Sequence, residues 1–260
     1  MQFETILAES VGDVLQITLN RPERLNACHP AMAVEINRAL VDRGDARAVL
    51  IKGQGRAFCS GADLATRGDR RVPGGQGAYE ALTQAYNPLM LTLARLPVPV
   101  VCAVNGPAAG IGCSIALAAD FVIAGRSAYF LQAFVNIGLV PDGGSTWMLA
   151  RLVGKARATQ MMMLGEKIGA EQAENWGMIY KAVDDAELQS DALALATRLA
   201  SGPTIALGVM RQNIAKALEA EFAGSLMIEA EGQWVAGDSA DAAEGGRAFL
   251  EKRKPVFTGQ

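Results

Sequence analysis

Few residues in this 260-residue chain combine a reactive group with a setting that would expose it. Asp142 does: it is a single carboxylate between Pro141 and the pair Gly143-Gly144, after the apolar-rich run 134–140. A carboxylate so placed suits proton transfer, above all if Phe134, Ile137 and Val140 desolvate it and raise its proton affinity. It equally suits the N-cap or Asx turn of the helix that the spacing predicts over 146–152. A second stretch runs through 98–114. An apolar strand, 98–104, breaks at Asn105-Gly106-Pro107 and passes through Gly110-Ile111-Gly112 into a helical run over 114–119. Such a turn brings unpaired N–H groups and the helix dipole to one point, where an anion, or an oxygen turning negative during a reaction, can be held. The same glycines also serve a tight turn packed closely for structural reasons alone. A third stretch, Ala57-Phe58-Cys59-Ser60-Gly61-Ala62-Asp63-Leu64, follows a predicted strand and carries small residues where backbone could face a ligand. A plain connecting loop would read the same way.

Other chemistries find little support. The single histidine, His29, precedes Pro30 at a predicted helix start, where capping is its simplest use, and it leaves neither a His-rich metal site nor a Ser-His-Asp triad a firm basis. The four cysteines, 28, 59, 102 and 113, lack metal-ligand spacing and read as buried reduced thiols of a cytoplasmic protein. No metal is expected. A net charge of −3 without a Lys/Arg run argues against nucleic acid. No apolar run reaches the ~18 residues of a membrane span, and residues 1–4 lack the features of a secretory signal.

Half of the residues are apolar, enough for a sizeable core. The pattern predicts strands over 14–19, 48–51 and 98–104, a helix over 30–41, and a helix over 79–96 bent at Pro88. Strand–helix–strand order favours a right-handed βα unit. Residues 65–77, polar and glycine-rich, read as a mobile surface segment or lid. A strand pair is expected over 120–124 and 128–131, and a last strand over 179–183. From 154 onward the chain turns mainly helical, with Met161-Met162-Met163 as core filler. The final four helices, over 186–200, 203–218, 220–236 and 238–253, carry more apolar face than a small bundle needs. Docking onto the αβ core, onto neighbouring subunits, or both, would use it.

Taken together these residues resemble the enoyl-CoA hydratase/isomerase (crotonase) superfamily over nearly the whole chain. The resemblance rests on Leu19-Asn20-Arg21-Pro22-Glu23-Arg24-Leu25-Asn26-Ala27, the 57–64 loop, the 105–112 turn, Gly138-Leu139-Val140-Pro141-Asp142-Gly143-Gly144, and the tail from Phe249 to Gly259. It implies an α/β fold, the crotonase (ClpP-like) spiral of ββα units, over 1–200, with a C-terminal helical trimerisation region over 201–260. It implies a homotrimer or homohexamer acting on an acyl-CoA thioester, with coenzyme A part of the substrate and no separate cofactor. The family's two oxyanion N–H groups map to Ala62 and Ile111. Arg24, Leu25 and Ala27 would border the coenzyme A on one side and Ser60, Gly61, Asp63 and Leu64 on the other. Phe249 and Lys252 would reach it from a neighbouring subunit. An acidic chain needs local cations such as Arg24 and Lys252 to hold a polyphosphate.

Family hydratases use two glutamates, and here the matching positions are Ser114 and Phe134. Phenylalanine cannot transfer a proton, and a serine without a base is a poor substitute. Asp142 matches the position where some members keep a catalytic aspartate. The resemblance therefore implies an isomerase in which Asp142 moves a proton while the two N–H groups hold the thioester enolate, shifting a double bond or rearranging a ring epoxide. A 2-enoyl-CoA hydratase is the alternative. A non-catalytic scaffold binding coenzyme A or RNA is the alternative of another class, against which the intact turns and the acidic balance weigh.

Overall fold

The computed structural model describes residues 2–65 and 74–260. Most of the segment expected to act as a lid, 66–73, lies outside them. The described residues build two sheets. The larger is six-stranded, formed by β1 (Ile6–Val11), β2 (Val14–Leu19), β3 (Ala48–Gly53), β4 (Val100–Val104), β6 (Phe121–Gly125) and β9 (Lys181–Val183), hydrogen-bonded in that order. β1 pairs antiparallel with β2, and every later pairing is parallel. Parallel strands buried on both faces read as continuous apolar runs, which is why 98–104 carries no alternation. The second sheet has three strands, β5 (Pro107–Ala109), β7 (Tyr129–Leu131) and β8 (Lys167–Gly169).

The side-chain period of two sorts the six-stranded sheet into two cores. Ile17, Ile51, Cys102 and Val122 face α1 (Pro30–Val41) and α3 (Asn87–Arg95), through Met32, Ile36, Leu89 and Leu93. Leu50, Val101, Ala103 and Ile123 face the other way, onto Leu188, Ala192 and Ala196 of α8 (Leu188–Ala200). His29 caps α1, its ring nitrogen accepting from the Met32 N–H at 3.0 Å, as its place before Pro30 predicts.

Two expectations need correction. β6 and β7 are not paired with each other. β6 lies between β4 and β9, whereas β7 lies between β5 and β8, because the turn at 125–128 carries the chain from one sheet to the other. The predicted helix over 79–96 begins earlier, at α2 (Gly74–Ala81), and widens to a π turn over Leu82–Tyr86 before α3. The cause is Pro88, which lacks an N–H and crowds the preceding turn; Asn87 N–H bonds back five residues to the Leu82 carbonyl.

Helices α4 (Ile111–Leu117) and α7 (Ala170–Asn175) pack on the second sheet, α5 (Ser145–Leu152) packs on α4 and on α6 (Gly154–Leu164), and α9 (Thr204–Ala217), α10 (Phe222–Gly237) and α11 (Ala240–Leu250) follow α8. α9 is moored by Arg211, whose guanidinium grips Asp120 at 2.7 Å and donates to the carbonyls of Leu93, Ala94 and Leu96. Those are orphan carbonyls at the end of α3, so one buried cation both satisfies them and pins the C-terminal helices to the core. No single helix among the described residues is long and apolar enough to cross a membrane.

Candidate active site

Three turns meet at the edge of the second sheet. Cys59 and Ala108 form an isolated parallel bridge, with Cys59 N–H donating to Pro107 at 3.0 Å and Ala109 N–H donating to Cys59 at 2.9 Å. Past this bridge the strips 59–62 and 108–111 run side by side, so close that a side chain on Gly110 would stand 3.7 Å from the Gly61 Cα. Both strips turn on glycines that L side chains replace with strain, Gly61 at φ +111° and Gly110 at φ +52°. On its other edge the first strip meets Cys28, whose N–H donates to Gly61 at 2.8 Å and whose carbonyl accepts from Asp63 at 3.0 Å. In a parallel bridge of that pattern Ala62 turns its own N–H away from Cys28, toward the strip that carries Ile111. Ile111 N–H lies ahead of the first intrahelical bond of α4, Ser114 N–H to the Gly110 carbonyl at 3.2 Å. The two strips that carry Ala62 and Ile111, the donors expected from the sequence, are thus brought together at Gly61 and Gly110.

The third turn carries Asp142, half-buried with Oδ1 fully enclosed. A Cβ on Gly143 would meet Ile111 Cδ1 at 2.5 Å and Ser114 Cβ at 2.8 Å, so the Asp142 turn rests directly on the first turn of α4. Phe134, 8 % exposed, closes the same corner, its ring edge 3.6 Å from where a Gly110 side chain would begin. Ser114 is fully buried and its hydroxyl donates to the Asp142 main-chain carbonyl at 3.0 Å. Asp142 does not cap α5, whose N-cap is Gly144 without any side-chain cap. Burial first, and then the neighbouring Cys59, push the Cys28 thiol well above its ordinary value; Arg21 opposes this and the carboxylates of Asp142 and Asp63 add to it. The buried Cys59 and Cys113 thiols rise to about 11 and about 12, which leaves them protonated and poor nucleophiles at neutral pH.

The residues expected along coenzyme A divide into two groups. Arg24, Leu25 and Ala27 lie against the 60–64 loop: Ser60 N–H donates to the Leu25 carbonyl at 3.0 Å, and the Ser60 hydroxyl reaches the Arg24 carbonyl at 3.5 Å. Arg24 and Leu64 are exposed and Gly61 is buried. Asp63 is nearly buried, and Arg21 holds it at 2.9 Å while also donating to the Ala27 carbonyl. Burial alone would raise its carboxyl, but the Arg21 and Ala65 hydrogen bonds outweigh it and keep Asp63 below the usual range. Phe249 and Lys252 stand elsewhere, at the exposed end of α11, which packs against α10.

Three residues of this site escape a sequence reading. Arg21 clamps two loops that are 42 residues apart. Asn26, fully buried and left-handed at φ +54°, donates to the Gln54 and Ala57 carbonyls and accepts from Arg21 N–H. Tyr86, on the π turn, donates its hydroxyl to the Cys28 carbonyl at 2.8 Å. Only the unusual polar density of Asn20-Arg21-Pro22-Glu23-Arg24-Leu25-Asn26 beside a strand end could have flagged the first two. Among the described residues no cluster of His, Cys, Asp and Glu is suited to a metal ion.

Two glycine-backed strips of main chain beside one carboxylate are an arrangement suited to holding an oxygen that turns negative during a reaction. Residues 9–260 match the family model for enoyl-CoA hydratase/isomerase, and the chain belongs to that family. It is 45 % identical over 260 residues to the 1,2-epoxyphenylacetyl-CoA isomerase of Escherichia coli, covering 99 % of each chain. It is equally 45 % identical over 267 residues to a Rhodobacter capsulatus protein named "Probable enoyl-CoA hydratase", covering 100 % of both. The fold is that of the crotonases: the crystal structure of an enoyl-CoA hydratase from Bacillus anthracis superposes with a TM-score of 0.93 at 29 % identity, over 99 % of this chain and 100 % of that one.

Proposed function

We propose that this chain is an acyl-CoA isomerase that shifts a double bond, or rearranges a ring epoxide, by proton transfer through Asp142. The observation that supports this reading is that the Asp142 turn and Phe134 both pack at the start of α4, where Ser114 lies. The Ser114 hydroxyl is committed to a main-chain carbonyl and Phe134 is a hydrocarbon, so neither supplies the second acid or base that hydration needs. Asp142 takes a proton from the carbon α or γ to the thioester carbonyl. The charge that builds on the thioester oxygen is met by the Ala62 and Ile111 N–H groups, each such donor typically worth ~3 kcal/mol. The same carboxyl, now protonated, returns the proton to another carbon, and the product has the composition of the substrate.

Arg24, Leu25, Ala27 and the 60–64 loop form the proposed coenzyme A border, with Arg24 facing the phosphates. Phe249 and Lys252 contribute from a second copy in a trimer or hexamer, which their exposure at and just beyond the end of α11 supports. The identity to the Escherichia coli epoxide isomerase makes a phenylacetyl-CoA epoxide the first acyl group to try. Four free, buried thiols fit a reducing, cytoplasmic setting. The second reading, 2-enoyl-CoA hydration with Asp142 activating water alone, draws on the equal identity to the Rhodobacter capsulatus protein. Incubation with 3-hexenoyl-CoA and with 2-butenoyl-CoA, followed by mass and absorbance, separates them: isomerisation leaves the mass unchanged, whereas hydration adds one water.

A further inference from the structure

Two buried hydroxyls converge on one main-chain atom behind the proposed base. Ser114 Oγ donates to the Asp142 carbonyl at 3.0 Å and Ser145 Oγ donates to the same carbonyl at 2.9 Å. Ser145 N–H adds a third bond at 3.2 Å. Both serines are 0 % exposed. Such a convergence is more than a turn needs, since the Ser145 N–H alone closes Asp142 to Ser145. The two hydroxyls also come from different elements: Ser145 opens α5, whereas Ser114 sits in the first turn of α4, whose leading N–H is that of Ile111.

We infer that Ser114 is a positioning residue: its hydroxyl fixes the spacing between the carboxylate of Asp142 and the Ile111 N–H. The inference rests on the isomerase reading above for what that spacing is used for. The physical reason is mechanical. The turn 142–144 has two glycines at positive φ, Gly143 at +61° and Gly144 at +77°, and so little intrinsic stiffness of its own. Val140 before it is 80 % exposed and offers no anchor. Packing of Gly143 on Ile111 and Ser114 sets how near the turn can come, and the Ser114 bond stops it from moving away. A proton transfer between Asp142 and a carbon whose neighbouring oxygen is held by α4 depends on that separation, because small misplacements of reacting groups cost rate steeply. Ser114 touches neither substrate nor proton. It acts through the backbone of Asp142.

The test uses Ser114→Ala, which deletes the donor and leaves a methyl in the same space, with Ser145→Ala as a second variant on the same carbonyl. Each is crystallised and each is assayed as the full-length protein on the substrate that the wild type isomerises. For Ser114→Ala we expect kcat to fall by tenfold to a hundredfold, on the order of what a displaced catalytic group costs, with KM within about twofold of wild type. In its crystal structure the 142–144 turn shifts away from α4. A turn left in place with unchanged kcat overturns the inference, as does a kcat loss matched by a rise in KM or by loss of folded protein. If the wild type isomerises no thioester, the isomerase reading fails on its own. The position of the turn in the two crystal structures then decides whether Ser114 holds it.

Discussion

Ala62 and Ile111 occupy matching places on two adjacent parallel strips of backbone, each three residues beyond the Cys59–Ala108 bridge. Beyond the bridge the strips stay close as far as Gly61 and Gly110, the residues that precede Ala62 and Ile111. Their side chains can vary without moving the N–H groups, since the bridge and the two glycines set the backbone.

Gly110 is the weak point of that arrangement. At φ +52° and ψ −126° it has a conformation reserved for glycine, and alanine there carries ~1–3 kcal/mol of strain. Relief of that strain rotates the Ile111 N–H. For Gly110→Ala we expect kcat to drop by about 10²-fold, the typical cost of one lost oxyanion donor, while the affinity for coenzyme A measured by calorimetry stays near wild type.

Gly112 serves packing. A Cβ there would fall 2.4 Å from the Cys59 carbonyl oxygen and 2.7 Å from its Sγ. Gly112→Ala forces α4 off the 57–62 strip and should destabilise the protein by about 2 kcal/mol, read from urea unfolding. Gly138→Ala is the control, because no atom lies within 4 Å of the added carbon, and its φ of +68° leaves only the backbone strain.

Arg21 and Asp63 give the loops around the site their pH dependence. The Asp63 carboxyl binds its proton less tightly in the folded protein than in the unfolded chain. Its stabilisation is therefore complete above the ordinary carboxyl value of about 3.8 and is lost as the pH falls through the lower, folded value. Arg21→Met takes the paired cation away from a buried carboxylate and should cost about 3 kcal/mol at pH 7. That cost should shrink in urea titrations repeated toward pH 3, and a cost independent of pH would contradict it.

The tail is fastened by two carboxylates of α11. Asp241, 2 % exposed, accepts from Thr258 N–H at 2.7 Å and Gly259 N–H at 2.9 Å. Glu244 accepts from Arg253 and from Val256 N–H, and the Arg253 hydrogen bond foremost lowers its carboxyl to about 2. Its hold on the tail is complete above about 4.5 and fades as the pH falls toward about 2. In hydrogen exchange at neutral pH, Asp241→Ala should abolish protection of the Thr258 and Gly259 amides and leave α8 unchanged.

Much of this molecule is legible in its sequence where local pattern and tertiary environment agree. The strand 14–19, the helix 30–41 with its His29 cap, and the four closing helices follow from period and punctuation. β1 is not legible: its residues beyond Ile6 are largely exposed, so no alternation marks it. β7 falls within the strand expected over 128–131, whereas the three-residue strands β5 and β8 are too short to carry a period, and the sheet they share with β7 exists only through tertiary pairing. Asp142, Gly61 and Gly110 stand out as residue types in unusual company. Arg21, Asn26 and Tyr86 do not, because their partners are distant in sequence and hydrogen bonding to main-chain atoms leaves no pattern of side-chain types.

The measurement that bears most directly on the proposed chemistry compares wild type and Asp142→Asn on 3-hexenoyl-CoA and 2-butenoyl-CoA by absorbance and mass spectrometry. We expect wild type to isomerise 3-hexenoyl-CoA at unchanged mass, and Asp142→Asn, with intact fold and coenzyme A affinity, to lose at least about 10²-fold in kcat, as removal of a general base does. Rapid addition of water to 2-butenoyl-CoA, or full isomerase activity in Asp142→Asn, would contradict the assignment of Asp142 as the proton carrier of an isomerase.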